Sequence, residues 1–561
     1  MVFGSTCGWA WPDPCSAPEG PAWRQEAGTP GLRLSLLTQE PPETTLREAT
    51  PLSSCGWPPT VFDHLFIVRS AHAILLLGLF TLTQLAPAAE RPNIIFFLVD
   101  DMGWQETSVP FHTQVTELNR RYRTPNMEKL AAEGVKFTQA YASAVCSPSR
   151  ISALTGMNAA RHGVTNWTLQ RDRGPDGKHP TLALPEWPLS GFSPSPATPR
   201  SVSGTPLPQL LRTAGYRTIH IGKAHFGAIR TPGEYPLSLG FDINVAGHAA
   251  GGPGSFLGDK NFSGKWRGAE AHWDVPGLEA YHGKEVYLTE ALTLEAVKAI
   301  EQSVADRKPF YLYMSHYAVH APREKDARFY QKYIDQGLKP AEATLASMVE
   351  GMDKSLGDLR GALQRLGVAA NTLIVFLSDN GAPANSPPNL PLRGHKLNPY
   401  EGGVRVPMMV YWPGVTAPGT TNPTPVVIDD IFPTLLEIGN VAWQDKVSQT
   451  VDGISLAPEL RKPGTLDNSR PIVWHFPNNY SGQGPFSAMR AGCWKLIYFH
   501  AAQKYELYNL DADIGEKVNL ADKEPARTTT LARQLGQLLR TRGALMPTVI
   551  KTGQLVPYSG F

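Results

Sequence analysis

Two apolar runs constrain this chain more than any other feature. PNIIFFLVDD (92–101) is a continuous β-rich stretch ending in Asp100 and Asp101, and NTLIVFLSDN (371–380) is a second, ending in Asp379 and Asn380. Unbroken apolar runs of this kind are strands covered on both faces, as in a parallel sheet. The segments between them alternate. Residues 124–143 predict a helix and then a strand, 205–227 a helix stopped at Gly215 and then a strand, and 307–322 a strand running into a polar loop. Residues 341–366 space Leu345, Met348, Met352, Leu356, Leu359 and Leu363 at helical intervals, and 427–439 predict a further helix. Alternating strands and helices imply an α/β sheet with helices on both faces. Residues 171–204 are a Pro/Ser/Gly loop. From about 466 to 561 short strand-like runs and a helix near 525–541 predict a small antiparallel α+β subdomain, which leaves 90–465 as the main domain.

With 561 residues the chain can bury one large core and a second smaller one. Its 51 glycines and 50 prolines imply many loops, while 13 tryptophans and 18 tyrosines argue against disorder. A net charge of +2 gives no bulk attraction to nucleic acid or to an acidic membrane surface, so neither is expected as a partner. Residues 66–88 resemble a secretory signal: Arg69 gives the positive flank, 73–82 are mostly apolar, and Ala86-Pro87-Ala88 fits a cleavage site. The apolar run is too short for an ordinary span, and no cysteine follows it, so no stable membrane anchor is expected and the product is exported, to a periplasm or the exterior. Because such a signal belongs near residue 1, residues 1–65 are expected to be an over-extended reading frame; the alternative is a low-complexity leader. Cys7, Cys15 and Cys55 lie in that region. Only Cys146 and Cys493 remain beyond it, and no disulfide framework is expected.

In open α/β sheets ligands sit beyond the carboxyl ends of the strands. Asp100, Asp101, Asp379 and Asn380 all fall there, and three carboxylates with one amide suit a hard cation, calcium or magnesium, better than zinc. Cys146, in CSPSR (146–150), is expected just before a helix with Ser147 as N-cap and Pro148 in the first turn, where an anion is favoured and Arg150 can reach back to it. From these residues alone Cys146 is a thiol nucleophile of low pKa or the precursor of an oxygen-bearing group. Cys493, in AGCWKLIYF, reads as a buried strand residue, and His316 as an ordinary structural histidine.

CSPSR followed by ISALTG resembles the signature of the type I sulfatases, Cys-x-Pro-x-Arg with Leu-Thr-Gly after it, and VDDMGW, GKAHFG, HAP, SDNG and KLNPYEGGVRVP follow in that family's order. The resemblance runs from about 92 to about 520 and implies an alkaline-phosphatase-like large mixed sheet flanked by helices. It implies that Cys146 is oxidised to Cα-formylglycine by a formylglycine-generating enzyme or a radical maturase. A hydroxyl of the hydrated aldehyde then attacks the sulfur of a sulfated glycan or small sulfate ester. Asp100, Asp101, Asp379 and Asn380, with an oxygen of modified Cys146, would bind the metal, usually calcium. Arg150, Lys223 and Lys396 would face the sulfuryl oxygens, His320 the leaving group, and His225 the remaining diol proton. His248, in a Gly-rich loop, and His475, in WHFPNNY, are expected to touch substrate, with Trp474 stacking on a ring and Asn478 and Asn479 bonding hydroxyls. The style resembles bacterial carbohydrate sulfatases, including those acting on 4-O-sulfated galactose or N-acetylgalactosamine.

Three rivals stand beside this reading. A phosphoester or phosphonate hydrolase of the same superfamily shares the metal architecture, but a phosphate monoester carries two charges to the sulfate ester's one, and a single metal with lysines favours sulfate. A non-catalytic glycan-binding homologue predicts losses among the site residues, of which the sequence has none. A cysteine-dependent hydrolase predicts that the unmodified thiol suffices.

Overall fold

The computed structural model describes residues 91–561; the leader and signal peptide expected at 1–65 and 66–88 lie outside the described residues. The two apolar runs form strands β1 (Asn93–Val99) and β6 (Thr372–Ser378) at the centre of a nine-stranded sheet. The others are β2 (Val135–Tyr141), β3 (Arg217–Gly222), β4 (Ile243–Val245), β5 (Phe310–Ser315), β7 (Arg405–Tyr411), β8 (Thr420–Asn422) and β9 (Val426–Val427). The order is β8-β2-β7-β6-β1-β5-β3-β4, with β9 also on β2. Only β7 runs against its neighbours; β1 pairs in parallel with both β6 and β5.

Alternate residues of β1 feed two cores. Ile95, Phe97 and Val99 join one cluster with Met348, Met352 and Leu356 of the long helix Pro340–Arg365, whose periodicity is legible in the sequence. Ile94, Phe96 and Leu98 join the opposite cluster with Ile151, Leu211 and Phe432. A strand buried on both faces has to be apolar at every position, which is why this one shows no polar alternation.

Residues 472–509 make a four-stranded antiparallel sheet, β10 (Ile472–Phe476), β11 (Phe486–Ala491), β12 (Trp494–Phe499) and β13 (Lys504–Asn509), covered by the helix Pro525–Thr541. It packs directly behind the segment that follows β2. Trp474 Nε1 donates to the Ala142 carbonyl at 2.8 Å, and its ring meets Tyr141 edge-on at 5.3 Å. Buried Lys495 lies 2.8 Å from Glu401 and 3.0 Å from Glu516, and Glu401 also accepts from Tyr141 and Arg405. Cys493 is buried, in the turn between β11 and β12 rather than within a strand. The 171–204 loop carries three short strands: Gly191–Ser193 and Ser201–Ser203 pair with each other, and Leu182–Ala183 pairs with Thr548–Val549. Among the described residues no helix is long and apolar enough to cross a membrane.

Candidate active site

Strand register assembles the site. Val99 of β1 pairs with Ser378 of β6, so Asp100-Asp101 and Asp379-Asn380 leave the sheet side by side. On the other side of β1, Ser315 ends β5 beside Leu98, and Gly222 ends β3 beside Ser315. Gly222 has φ +103°, and a Cβ there would lie 1.9 Å from the Ser315 carbonyl oxygen; only glycine lets β3 turn out at this point. Lys223 follows at once, its N–H donating to that carbonyl at 2.8 Å. Four adjacent parallel strands thus deliver their polar residues to one edge, as open α/β sheets do.

The three carboxylates lie within 4.8 Å of one another and are buried. Lys223 Nζ is 2.6 Å from Asp100 Oδ2, Lys396 Nζ is 2.5 Å from Asp101 Oδ1, and Asn380 Nδ2 donates to the same Asp101 oxygen at 2.6 Å. Two oxygens of the set, Asp100 Oδ1 and Asn380 Oδ1, are buried with no hydrogen-bond partner. Buried acceptors are rarely left so. Burial raises Asp100 to about 6 against the pull of Lys223. Burial, then Asp100, raises Asp379 as well. Burial would raise Asp101 too, but Lys396 and His320 hold it well below the ordinary carboxylate range. Asp101 also takes φ +64°, a backbone state uncommon outside glycine.

Cys146 begins the buried helix Cys146–Thr155, with Val145 as an uncapped N-cap and Gly156 closing it in the left-handed conformation. The helix therefore starts earlier than the expected Ser147 cap. Ser147 Oγ is used elsewhere, accepting from the Thr168 N–H at 3.2 Å. Burial would raise the Cys146 thiol, but Lys223 and Lys396 bring it below its ordinary value.

Arg150, expected as an anion clamp, is fully buried and most of its donors meet protein: Nε and Nη2 on Asp379 Oδ2 at 3.0 and 2.7 Å, Nη1 on Ser315 Oγ at 2.6 Å and the Lys223 carbonyl at 3.1 Å. It fixes Asp379 and the Lys223 turn in place. A planar guanidinium does this where a point charge would not.

His225 (φ +56°) gives Nε2 to the Thr168 carbonyl at 2.9 Å, and its Nδ1 is buried and unpartnered. A carbonyl only accepts, so the proton is assigned to Nε2 and the lone pair to Nδ1. Burial, then Lys223 and Arg150, push this imidazole well below its ordinary value. His320 bonds the Ala321 carbonyl through Nδ1 at 2.8 Å, which leaves Nε2 facing Asp101 Oδ2 at 3.9 Å. Burial brings it to about 4 despite Asp101, with Lys223 and Lys396 adding to the fall.

Residues 92–441 match the family model described as Sulfatase, and residues 395–542 the one described as N-sulphoglucosamine sulphohydrolase, C-terminal. The chain belongs to the sulfatase family. It is an enzyme, a sulfuric ester hydrolase. A sulfatase of Formosa agariphila is 30% identical over 512 residues, covering 81% of this chain and 89% of that one. The N-acetylgalactosamine-6-sulfatase of Mus musculus is 32% identical over 435 residues, covering 75% and 74%. Among solved structures, Ps i-CgsB in complex with k-i-k-neocarrahexaose matches with a TM-score of 0.64 and 26% identity, over 80% of this chain and 93% of that one.

Elsewhere in this sulfatase, His248 is partly buried with its Nε2 unpartnered, and its carbonyl accepts from the His225 N–H at 3.2 Å. His475 is a correction. Its Nδ1 bonds Ser487 Oγ at 2.8 Å and its Nε2 the Leu545 carbonyl at 2.9 Å, so both ring nitrogens are used inside the C-terminal subdomain and neither is free for a ligand. Trp474 is likewise a packing residue, Asn478 donates to Asp176, and Asn479 donates to the carbonyls of Gly177 and Lys178. The WHFPNNY stretch thus pins the 171–204 loop. His316 is buried with Nε2 2.9 Å from Ser355 Oγ, a structural histidine as the sequence implies.

Two glycines of the 247–254 loop take part in the site's packing. A Cβ on Gly251 would lie 2.3 Å from the His225 ring, and one on Gly252 2.9 Å from the His320 ring. The glycines let one loop lie flush against both imidazoles. The Gly-rich composition of 247–254 was visible; what it packs against was not.

Proposed function

We propose that this sulfatase hydrolyses sulfate monoesters on sulfated carbohydrates, using residue 146 in its formylglycine form and a single calcium ion. The observation that carries the reading is the pair of unpartnered buried oxygens, Asp100 Oδ1 and Asn380 Oδ1, in an all-oxygen donor set near the start of the Cys146 helix. Such a set fits a hard cation held by Asp100, Asp101, Asp379 and Asn380. The formal charges of Asp100, Asp101 and Asp379 cancel those of Arg150, Lys223 and Lys396, so a bound divalent cation would supply the net positive charge that draws a sulfuryl group in. In its formylglycine form, residue 146 supplies the hydrated aldehyde as nucleophile.

The other side chains work around these two groups. Lys223 and Lys396 are fixed cations for the charge that grows on the sulfuryl oxygens. Arg150 holds Asp379 and the Lys223 turn at their posts. His320 Nε2 and Lys396 stand on the leaving-group side and protonate the departing oxygen; the anionic ester favours the charged imidazole against the burial, and the neighbouring lysines, that hold His320 near 4. His225, with Nε2–H fixed by the Thr168 carbonyl, offers Nδ1 as a base that stays unprotonated at neutral pH. His248 Nε2 is the substrate contact. The carbohydrate class is supported by the relatives, an N-acetylgalactosamine-6-sulfatase and a structure holding a neocarrahexaose, alongside the sequence style.

Turnover of a matched aryl sulfate and aryl phosphate tests the reaction class, and a panel of galactose and N-acetylgalactosamine 4- and 6-sulfates tests the substrate class. Sulfate turnover well above phosphate turnover is expected. A phosphate rate exceeding the sulfate rate would assign the chain to phosphoester chemistry.

A further inference from the structure

Segment 166–169 joins the nucleophile to the base. The Thr168 N–H donates to Ser147, next to Cys146, and the Thr168 carbonyl accepts from His225. Its neighbour Trp167 is therefore one residue from a direct contact with each side of the site. Trp167 is partly buried and packs against two clusters, the larger one containing Cys146 and a small one made of Leu169, Ala249 and Ala250. Trp273, also partly buried, packs against the same small cluster. Two indoles thus share one apolar floor. That floor continues into Gly251 and Gly252, which lie against the His225 and His320 rings. His248, beside Ala249, has its Nε2 unpartnered. Neither indole N–H has a hydrogen-bond partner among the described residues, a state that buried Trp104 and Trp494 share.

Partly exposed indoles with free N–H groups over a small apolar floor, next to reacting groups, are what a sugar ring needs. Its C–H face packs on the aromatic surface while its hydroxyls meet N–H donors.

We propose that Trp167 and Trp273, over Leu169, Ala249 and Ala250, form the subsite for the pyranose ring that carries the sulfate. The inference rests on the sulfatase reading above and names the part of the site that holds the leaving group.

The test compares wild type with Trp167→Ala, Trp273→Ala and Trp167→Phe. The probes are N-acetylgalactosamine 4-sulfate and 6-sulfate as substrates, and inorganic sulfate as an inhibitor of aryl sulfate turnover. Inorganic sulfate has no ring and reports the sulfuryl site alone. For the better sugar sulfate, each alanine variant is expected to lower kcat/KM by about tenfold or more, mostly through KM, with inhibition by sulfate unchanged. Trp167→Phe, which keeps an aromatic face, is expected to recover most of the loss. Unchanged kcat/KM in both alanine variants would overturn the subsite. So would equal losses of sugar turnover and sulfate inhibition in Trp167→Phe, which would mark the residue as structural. A wild type that turns over aryl sulfate but neither sugar sulfate would overturn it as well. Failure of the sulfatase reading looks different: wild type would then hydrolyse no sulfate ester and ignore inorganic sulfate.

Discussion

The carboxylate cluster at Asp100, Asp101 and Asp379 and the seam around Glu401, Lys495 and Glu516 are both buried and both mix acids with cations, yet they are closed differently. At the seam each acid is met by the protein. Glu401 takes Lys495 on one oxygen and Tyr141 and Arg405 on the other, and Glu516 takes the Glu401 N–H on one oxygen with Lys495 3.0 Å from the other. At the sheet edge Asp100 Oδ1 and Asn380 Oδ1 have no donor, and Arg150 Nη2 stands 3.9 Å from Asp100 Oδ1. Glu516 Oε1 makes no hydrogen bond either, but the Lys495 ammonium 3.0 Å away balances its charge, so that oxygen of the seam is closed in charge while those of the sheet edge are not. A cluster that binds something keeps oxygens in reserve, at a cost in folding energy that ligand binding offsets.

That contrast predicts opposite failures. Asp379→Asn should reduce kcat/KM for an aryl sulfate by roughly a thousandfold or more, since it removes a metal-binding charge at the reacting group. Added calcium should raise the thermal midpoint of wild type and leave that of the variant unmoved. A variant that stays active, or still answers to calcium, would break the comparison at its functional end.

Lys495→Met should do the reverse. It leaves Glu516 buried without a cation, a defect that typically costs about 3–5 kcal/mol. The unfolding midpoint in urea should fall accordingly while activity of the folded fraction stays within about tenfold. Burial already pushes Glu516 up to about 7, so the loss should shrink below that pH, where the carboxyl can hold a proton. Equal destabilisation at all pH values would show that the seam is not a charge cluster in the sense drawn here.

A smaller effect tests an acid away from both clusters that is raised mainly by burial, with Asp430 and Asp452 adding to it. Burial raises Asp429 from its ordinary 3.8 to about 7, although Asn158 donates to it at 2.9 Å. Its folded pKa lies above its unfolded one, so its contribution to stability is present below about 4 and is lost as pH rises to about 7. Asp429→Asn should flatten the stability curve across that window, by on the order of a few kcal/mol between its ends. Carboxylates held low, such as Glu401 near 2, lose their contribution only as pH falls below the ordinary carboxylate range, outside that window. A curve of unchanged slope would refute the assignment.

How much of this was legible in the sequence follows from what each residue depends on. β1 and β6 were readable because burial on both faces forces every position apolar, and their acids because strand ends are local events. The Cys146 region was readable as a helix start, though its first residue was misplaced because Ser147 bonds Thr168 rather than its own helix. Arg150 was found, but its partners Asp379, Ser315 and the Lys223 carbonyl lie at the ends of three different strands, and no local pattern reveals that they take most of its donors. His475 failed for the same reason, since the carbonyl that occupies its Nε2 belongs to Leu545, 70 residues on. Gly251 and Gly252 were visible as composition, but their purpose is a contact with two histidines from two other segments.

The central claim is that the encoded Cys146 side chain is not the one that reacts. Conversion of a CH2SH side chain to an aldehyde lowers the residue mass by about 18 Da. Mass spectrometry of the peptide containing Cys146, from preparations of graded specific activity, should find that lighter form in a fraction that rises in proportion to sulfate ester turnover. A fully active preparation in which this peptide carries only the thiol would contradict the account.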